Sequence, residues 1–144
     1  MVDQPHVGVL MFVASRAVET RVIEAVQAAG YSDLTVAQGR IAARIGPHGT
    51  RLSELAEQAQ VAKQTATALV DRLEAAGYVE RVVDPSDARA RLVRISRKGR
   101  KVVAIARRVE AEIDAEWTRH LGSRRMAQLK ATLAELRPIV DPYQ

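Results

Sequence analysis

The feature that most constrains the fold is a change of hydrophobic period at Gly77. Before it, one helix face is marked by small and apolar residues at steps of three and four: Ala66, Leu69, Val70, Leu73 and Ala76. After it, residues 78–83 and 91–95 show the shorter period of strands. The segment between them begins with Asp84-Pro85-Ser86-Asp87, a composition typical of a turn. The pattern predicts a helix over 63–76 that ends at Gly77, the usual residue for a left-handed C-terminus, and leads directly into a β-hairpin.

A shorter helix precedes this one. Ser53 is in position to cap it, and a turn of three or four residues separates the two helices. Ala56 and Ala66 would let the two helix backbones cross closely, and Val61 would fill the turn between them. A short helix, a turn, a longer helix and a hairpin, in this order, are a winged helix-turn-helix. We therefore expect a mostly α-helical protein with a small β-hairpin wing.

Further helices flank this central unit. Helical spacing is seen from Val7 to Ala29, after a Thr35 N-cap as far as Ile45, from Gly99 to about His120, and from Gly122 to a stop at Pro138. The first helix and the last two carry more apolar surface than a two-stranded wing can cover, which predicts a homodimer. An ordinary helical core within one chain is the alternative.

The length of 144 residues fits one domain with a real core. We expect a winged helix-turn-helix core at about 34–98 and dimerisation helices at about 5–30 and 100–137. The chain has no cysteine, which excludes disulfides and thiol redox sensing. The N-terminal segment has the features of neither a signal peptide nor a membrane span, so a cytoplasmic protein without membrane contact is expected.

The positive charge is concentrated near the predicted wing. The whole chain has a net charge of +5, whereas residues 81–101 contain eight Arg or Lys and only two Asp, a local charge of +6. A basic stripe of this kind favours double-stranded DNA as the partner.

The exposed face of the 63–76 helix suits a DNA major groove. Gln64, Thr65 and Thr67 can exchange hydrogen bonds with base edges, and Lys63 near the helix N-terminus can meet a phosphate. No acidic residue lies in its first two turns. An ordinary solvated helix face is the alternative.

A resemblance to a known family rests on these same segments. The stretch DPSDARARLVRISRKGR, residues 84–100, is similar to the wing of the multiple-antibiotic-resistance regulator (MarR) family. That pattern has Asp, any residue and Arg, then an apolar alternation that ends in Thr or Ser, with Gly three residues later. Asp87, Arg89, Ser96 and Gly99 occupy those places. The helical order on both sides also fits, so the resemblance covers nearly the whole chain.

The resemblance implies a dimeric repressor or activator on a near-palindromic operator, with recognition helices in major grooves and wings in minor grooves. It places Arg89 at the wing tip with Asp87 as its orienting partner, and Arg91 in a supporting position. The base-facing residues would be Gln64, Thr65 and Thr67. The phosphate contacts would be Ser53, Lys63 and Arg72. The chain departs from the family pattern at Ala62, at Ala68 and at Gln60, which stands where glycine is common.

The resemblance also implies release of DNA by a small-molecule effector, for example an aromatic acid, in a cleft between the dimer helices and the DNA-binding unit. The candidates to line such a cleft are His48, Arg16, Arg40, Arg44 and Trp117. Arginines that are solvated or paired within the protein are the alternative. The sequence names no such ligand, and no cofactor is expected. It contains no nucleophile elbow, glycine-rich phosphate loop or metal-ligand cluster, so we do not expect an enzyme. A winged helix used only for protein–protein contact remains as the alternative.

Overall fold

The computed structural model describes residues 3–143, which form six helices and a three-stranded antiparallel sheet. The prediction of a mostly helical chain with a small wing is confirmed. The elements in chain order are α1 (Val7–Ala28), α2 (Val36–Ala42), β1 (Thr50–Arg51), α3 (Leu52–Gln58), α4 (Lys63–Ala75), β2 (Val79–Asp84), β3 (Asp87–Ile95), α5 (Arg97–Leu121) and α6 (Ser123–Val140).

The helix-turn-helix consists of α3 and α4, and its contact is built as the sequence predicts. Ala56 and Ala66 are buried where the helices meet, beside the buried side chains of Leu55, Val70 and Leu73. Small residues at the contact bring the helix axes close enough for the larger side chains around them to close the core.

Helix α3 begins differently from the prediction. Ser53 does not cap it, because the N-cap is Arg51 and the helix already starts at Leu52, which leaves Ser53 exposed in the first turn. The reason is the preceding residue pair, Thr50–Arg51, which forms strand β1 and runs directly into the helix. Two residues of extended chain thus replace the expected capping turn.

The turns around the helix-turn-helix use left-handed backbone where the sequence indicates it. Gln60 has φ +56°, in the turn position where the family commonly has glycine, and its side-chain amide donates to the carbonyl of Glu57 at 2.8 Å. Gly77 has φ +84° and ends α4, as predicted. The non-glycine residue at position 60 is strained by a fraction of a kcal/mol to about 1 kcal/mol, part of which its own hydrogen bond offsets.

The wing has three strands rather than two, in the order β1-β3-β2. Strand β3 starts at Asp87 rather than at the predicted Arg91, so the connecting turn consists of Pro85 and Ser86 alone. The register pairs Arg81 with Val93, and a bulge follows Val83. The added strand, β1, pairs with the other edge of β3 through Thr50 and Val93. A two-residue strand has too little periodicity to be seen in a sequence.

Helix α2 and its flanks follow the sequence closely but end early. Thr35 and Gln38 form a reciprocal capping box, with distances of 3.3 Å and 2.9 Å. The helix stops at Ala42, short of Ile45, because the N–H groups of Arg44 and Ile45 bond three residues back, as in a tighter turn.

The long helices also differ from the prediction at their ends. Helix α5 starts at Arg97 instead of Gly99, capped by the Ser96 hydroxyl, which accepts from the Gly99 N–H at 3.1 Å. Helix α6 continues through Pro138 to Val140, where the Asp141 N–H bonds to the Arg137 carbonyl. Proline removes one N–H but leaves those that follow it able to bond, so the last turn persists. Within residues 3–143 no helix is long and apolar enough to cross a membrane.

Candidate nucleic-acid interface

The N-terminal half of α4 presents hydrogen-bonding side chains to solvent. Lys63, Gln64 and Thr65 are exposed and Thr67 is half-buried. Lys63, Gln64 and Thr67 line one shallow depression together with Ala68 and Asp71. Three of the four predicted contact residues therefore lie together on one face, next to a helix N-terminus whose N–H groups attract anions, and Thr65 is exposed outside the depression.

Two features of this face limit its chemistry. The Thr67 hydroxyl donates to the Lys63 carbonyl at 2.8 Å, so its oxygen is left to accept from a base amino group. Asp71 would repel a phosphate, but Arg81 on β2 donates to it at 2.7 Å and to Glu74 at 2.6 Å. These pairs offset the acidic end of the face.

The other two predicted helix-turn-helix contacts lie apart from this depression. Ser53 is exposed in the first turn of α3, and Arg72 is exposed near the end of α4. Nine residues separate Arg72 from Lys63, which corresponds to about 13 Å along a helix axis. Lys63 and Arg72 are therefore too far apart along the helix to bind one phosphate together.

The wing presents Arg89 and Arg91 on the same face of β3, because they are two residues apart in a strand. Both side chains are exposed, and within residues 3–143 neither forms an ion pair with an acidic group. Asp87 holds Arg89 through the backbone: its Oδ1 accepts from the Arg89 N–H at 3.0 Å. The carboxylate thus fixes the strand from which the guanidinium extends, and the guanidinium itself stays available to a ligand.

Beside the wing turn lies an ion pair that the sequence did not reveal. Arg51 donates Nε and Nη2 to Asp84 Oδ2 at 3.0 and 2.8 Å. The other carboxylate oxygen of Asp84 accepts from the N–H and hydroxyl of Ser86 at 2.8 and 2.7 Å. The hydrogen bonds from Ser86, together with those from Arg51, lower the pKa of Asp84 to about 2. The pair joins residues 33 positions apart, beyond the reach of any local pattern.

At least three of the eight basic residues at 81–101 are engaged by groups of the protein itself. Arg81 is paired as described, and Arg94 donates to Glu80 at 2.7 Å. The Lys98 ammonium lies 4.4 Å from the centre of the Tyr78 ring and donates to the Ala76 carbonyl. The local charge of +6 therefore overstates what a DNA backbone would meet.

The arginines considered for an effector cleft have protein partners. Arg40 donates to Glu19 at 2.6 and 2.9 Å, and its hydrogen bond lowers the pKa of that carboxylate. Arg44 bonds both carboxylate oxygens of Asp141 at 3.1 and 3.3 Å. The guanidinium of Arg16 lies 5.5 Å from the centre of the Phe12 ring. The Arg40 pair links α2 to α1, and the Arg44 pair links the segment after α2 to the residue that follows α6.

Comparison with known proteins agrees with this geometry. A family model described as "MarR family" matches residues 32–90. The HTH-type transcriptional regulator FarR of Neisseria gonorrhoeae is 33% identical over 112 residues, 76% of each chain. Transcriptional regulator Tm0710 from Thermotoga maritima is 30% identical, with a TM-score of 0.64 over 90% of each chain. The Streptococcus pneumoniae FabT structure, a complex with DNA, has the same fold, with a TM-score of 0.69, 21% identity, and coverage of 92% of this chain and 94% of that one. The chain described here belongs to the MarR family of transcriptional regulators.

Proposed function

We propose that this chain regulates transcription as a homodimer bound to a near-palindromic operator in double-stranded DNA. Two exposed features of one chain carry the proposal: the polar N-terminal face of α4, and the wing residues Arg89 and Arg91, which have no acidic partner within residues 3–143. A helix face with hydrogen-bonding side chains reads base edges in a major groove, and an arginine at a wing tip suits the narrower minor groove.

Exposed apolar surface on the terminal helices supports the dimer. In the described part of the chain, exposed large apolar side chains are concentrated on two elements, α1 (Val7, Val9, Leu10, Met11, Phe12 and Val13) and α6 (Leu129, Leu133, Ile139 and Val140). A monomer that leaves such a surface in water forgoes about 25 cal/mol for each Å² that a partner would cover. In a two-fold dimer both copies present the same surface, so each would cover the exposed apolar side chains of the other.

The remaining parts of the proposal follow from this role. The regulator acts as a repressor in the cytoplasm, where its DNA is, and it has no catalytic role. A small-molecule effector would release it from DNA by changing how the α1, α2 and α6 contacts hold the DNA-binding unit. The alternative, a winged helix for protein–protein contact only, predicts a different response to salt.

Salt dependence of binding tests the function. If the dimer neutralises about eight phosphates, a plot of log K against log salt concentration should fall with a slope of about −7. The measurement is a titration of a duplex taken from the DNA flanking its own coding sequence, with a stoichiometry of two chains per duplex. A flat salt dependence, or no mobility shift of that duplex at low salt, would contradict DNA-binding regulation and favour the protein-contact role.

Two neighbouring residues of α4 should affect binding in different ways. Gln64→Ala should relax base preference, because a side-chain amide reads base edges, at a cost of about 1–3 kcal/mol on the preferred sequence. Lys63→Ala should weaken binding to all sequences alike and reduce the salt slope by about one. Titrations of operator and scrambled duplexes at several salt concentrations separate the two effects. If both variants lost affinity equally on both duplexes, the assignment of Gln64 to base contact would be wrong.

A further inference from the structure

The wing turn is held by a chain of polar contacts that begins outside the hairpin. Arg51 lies on β1, whereas Asp84 is the last residue of β2, and the two strands pair with opposite edges of β3. Adjacent strands are about 4.8 Å apart, so the ion pair crosses a strand-to-strand distance of about 10 Å. The strand it crosses is the one that carries Arg89 and Arg91.

The carboxylate of Asp84 is shared between this ion pair and the turn. Arg51 bonds one oxygen, and Ser86 bonds the other through both its N–H and its hydroxyl. Asp84 is only 7% exposed and follows the bulge in β2, at the point where the ladder is irregular and backbone pairing alone is weakest. Without Arg51, a nearly buried carboxylate would lose its counter-ion, which is costly for a group that remains ionised.

We propose that Arg51 is a positioning residue for the wing: by fixing Asp84 it fixes the turn from which the strand bearing Arg89 begins. Two carboxylates, one on each side of the two-residue turn, bind backbone N–H groups. Asp84 accepts from the Ser86 N–H, and Asp87 accepts from the Arg89 N–H. A preset wing loses less conformational entropy when Arg89 enters a groove, so binding gains affinity without any added contact to DNA. This inference rests on the proposed role of Arg89 in DNA binding.

A direct role for Arg51 is the competing interpretation. Its side chain is 39% exposed, so it could reach a phosphate while also touching Asp84. The two roles predict opposite effects of removing Asp84. If Arg51 serves the wing, Asp84→Asn weakens DNA binding because the turn loosens. If Arg51 serves a phosphate, Asp84→Asn frees its charge and leaves binding unchanged or stronger.

A double-mutant cycle tests the inference. Arg51→Ala, Arg89→Ala and the double variant are titrated with the duplex from the DNA flanking the coding sequence, and thermal melts verify folding. Arg51→Ala should weaken binding about threefold to tenfold in the otherwise unchanged protein and have little effect once Arg89 is absent. Arg94→Ala, which removes an exposed ion pair from β3, the strand that carries Arg89, is the control, and its effect should be equal in both backgrounds.

Each outcome decides between the two roles. An equal loss from Arg51→Ala in both backgrounds, no loss at all, or unchanged or tighter binding by Asp84→Asn would overturn the inference. If Arg51→Ala melts at a clearly lower temperature, Arg51→Lys replaces it in the cycle, since lysine keeps the charge but cannot donate from two fixed nitrogens. A normal affinity of Arg89→Ala would contradict the proposed role of the wing itself, which is a separate failure from that of Arg51.

Discussion

Replacing Arg89 with alanine should weaken operator binding at least about tenfold while leaving the fold and the dimer intact. Arg89 is exposed on β3 and has no acidic partner in residues 3–143, so its removal costs the folded chain no ion pair. In a complex with DNA, each guanidinium that bonds DNA contributes about 1–3 kcal/mol, and the proposed dimer would lose two of them. Titration of the operator duplex measures the loss, and circular dichroism with sedimentation verifies structure and assembly.

The matched control for this variant is again Arg94→Ala. Arg94 lies on the same strand and is also exposed, but its guanidinium is bonded to Glu80. Its removal should change affinity by less than about threefold, because an exposed pair contributes little to stability and its charge is already offset. Equal losses in the two variants would mean that the wing contributes general charge and that Arg89 has no particular position in the groove.

The order of the elements could be predicted from the sequence because each is marked by local residues. The period change at Gly77 places the end of α4 and the start of the hairpin, and the structure confirms left-handed backbone there. Thr35 and Gln38 are three residues apart, and they form the capping box of α2. Interactions within one turn of chain depend on spacing alone, so the linear sequence contains the information needed to find them.

The candidate site was only partly predictable, because its electrostatics depend on contacts across the fold. Arg81, Arg94 and Lys98 contribute to the local charge count, yet each is engaged by a protein group. The ion pair of Arg51 with Asp84 requires strand β1, which is too short to leave a pattern. The sequence predicts which basic side chains lie near the wing. The tertiary contacts determine which of them remain available to DNA.

Gly99 is the glycine of the wing pattern, and the structure shows why glycine is required at this position. It lies in the first turn of α5, and a Cβ there would be 2.2 Å from the Tyr78 carbonyl oxygen and 2.8 Å from the Ile95 side chain. That carbonyl accepts the Ser96 N–H at 3.0 Å, so the wing and the long helix meet at this point. The close approach of backbone to backbone leaves no room for any side chain.

Gly99→Ala should therefore destabilise the protein by about 3 kcal/mol or more. The backbone must shift to make room for the Cβ, and this shift weakens the hydrogen bond from the Ser96 N–H to the Tyr78 carbonyl. For a chain of this size that corresponds to a fall in Tm of about 6–12 °C.

Gly39→Ala is the matched control: Gly39 is also a helical glycine, but nothing lies within 4 Å of its added Cβ. It should be neutral or stabilise α2 by up to about 1 kcal/mol, because alanine is the better helix former. Thermal and urea unfolding of the two variants give the comparison. Similar melting temperatures would show that the junction of the wing and α5 accommodates a side chain, and the proposed positioning of Arg89 would then rest on the contacts of Arg51, Asp84 and Asp87 within the wing.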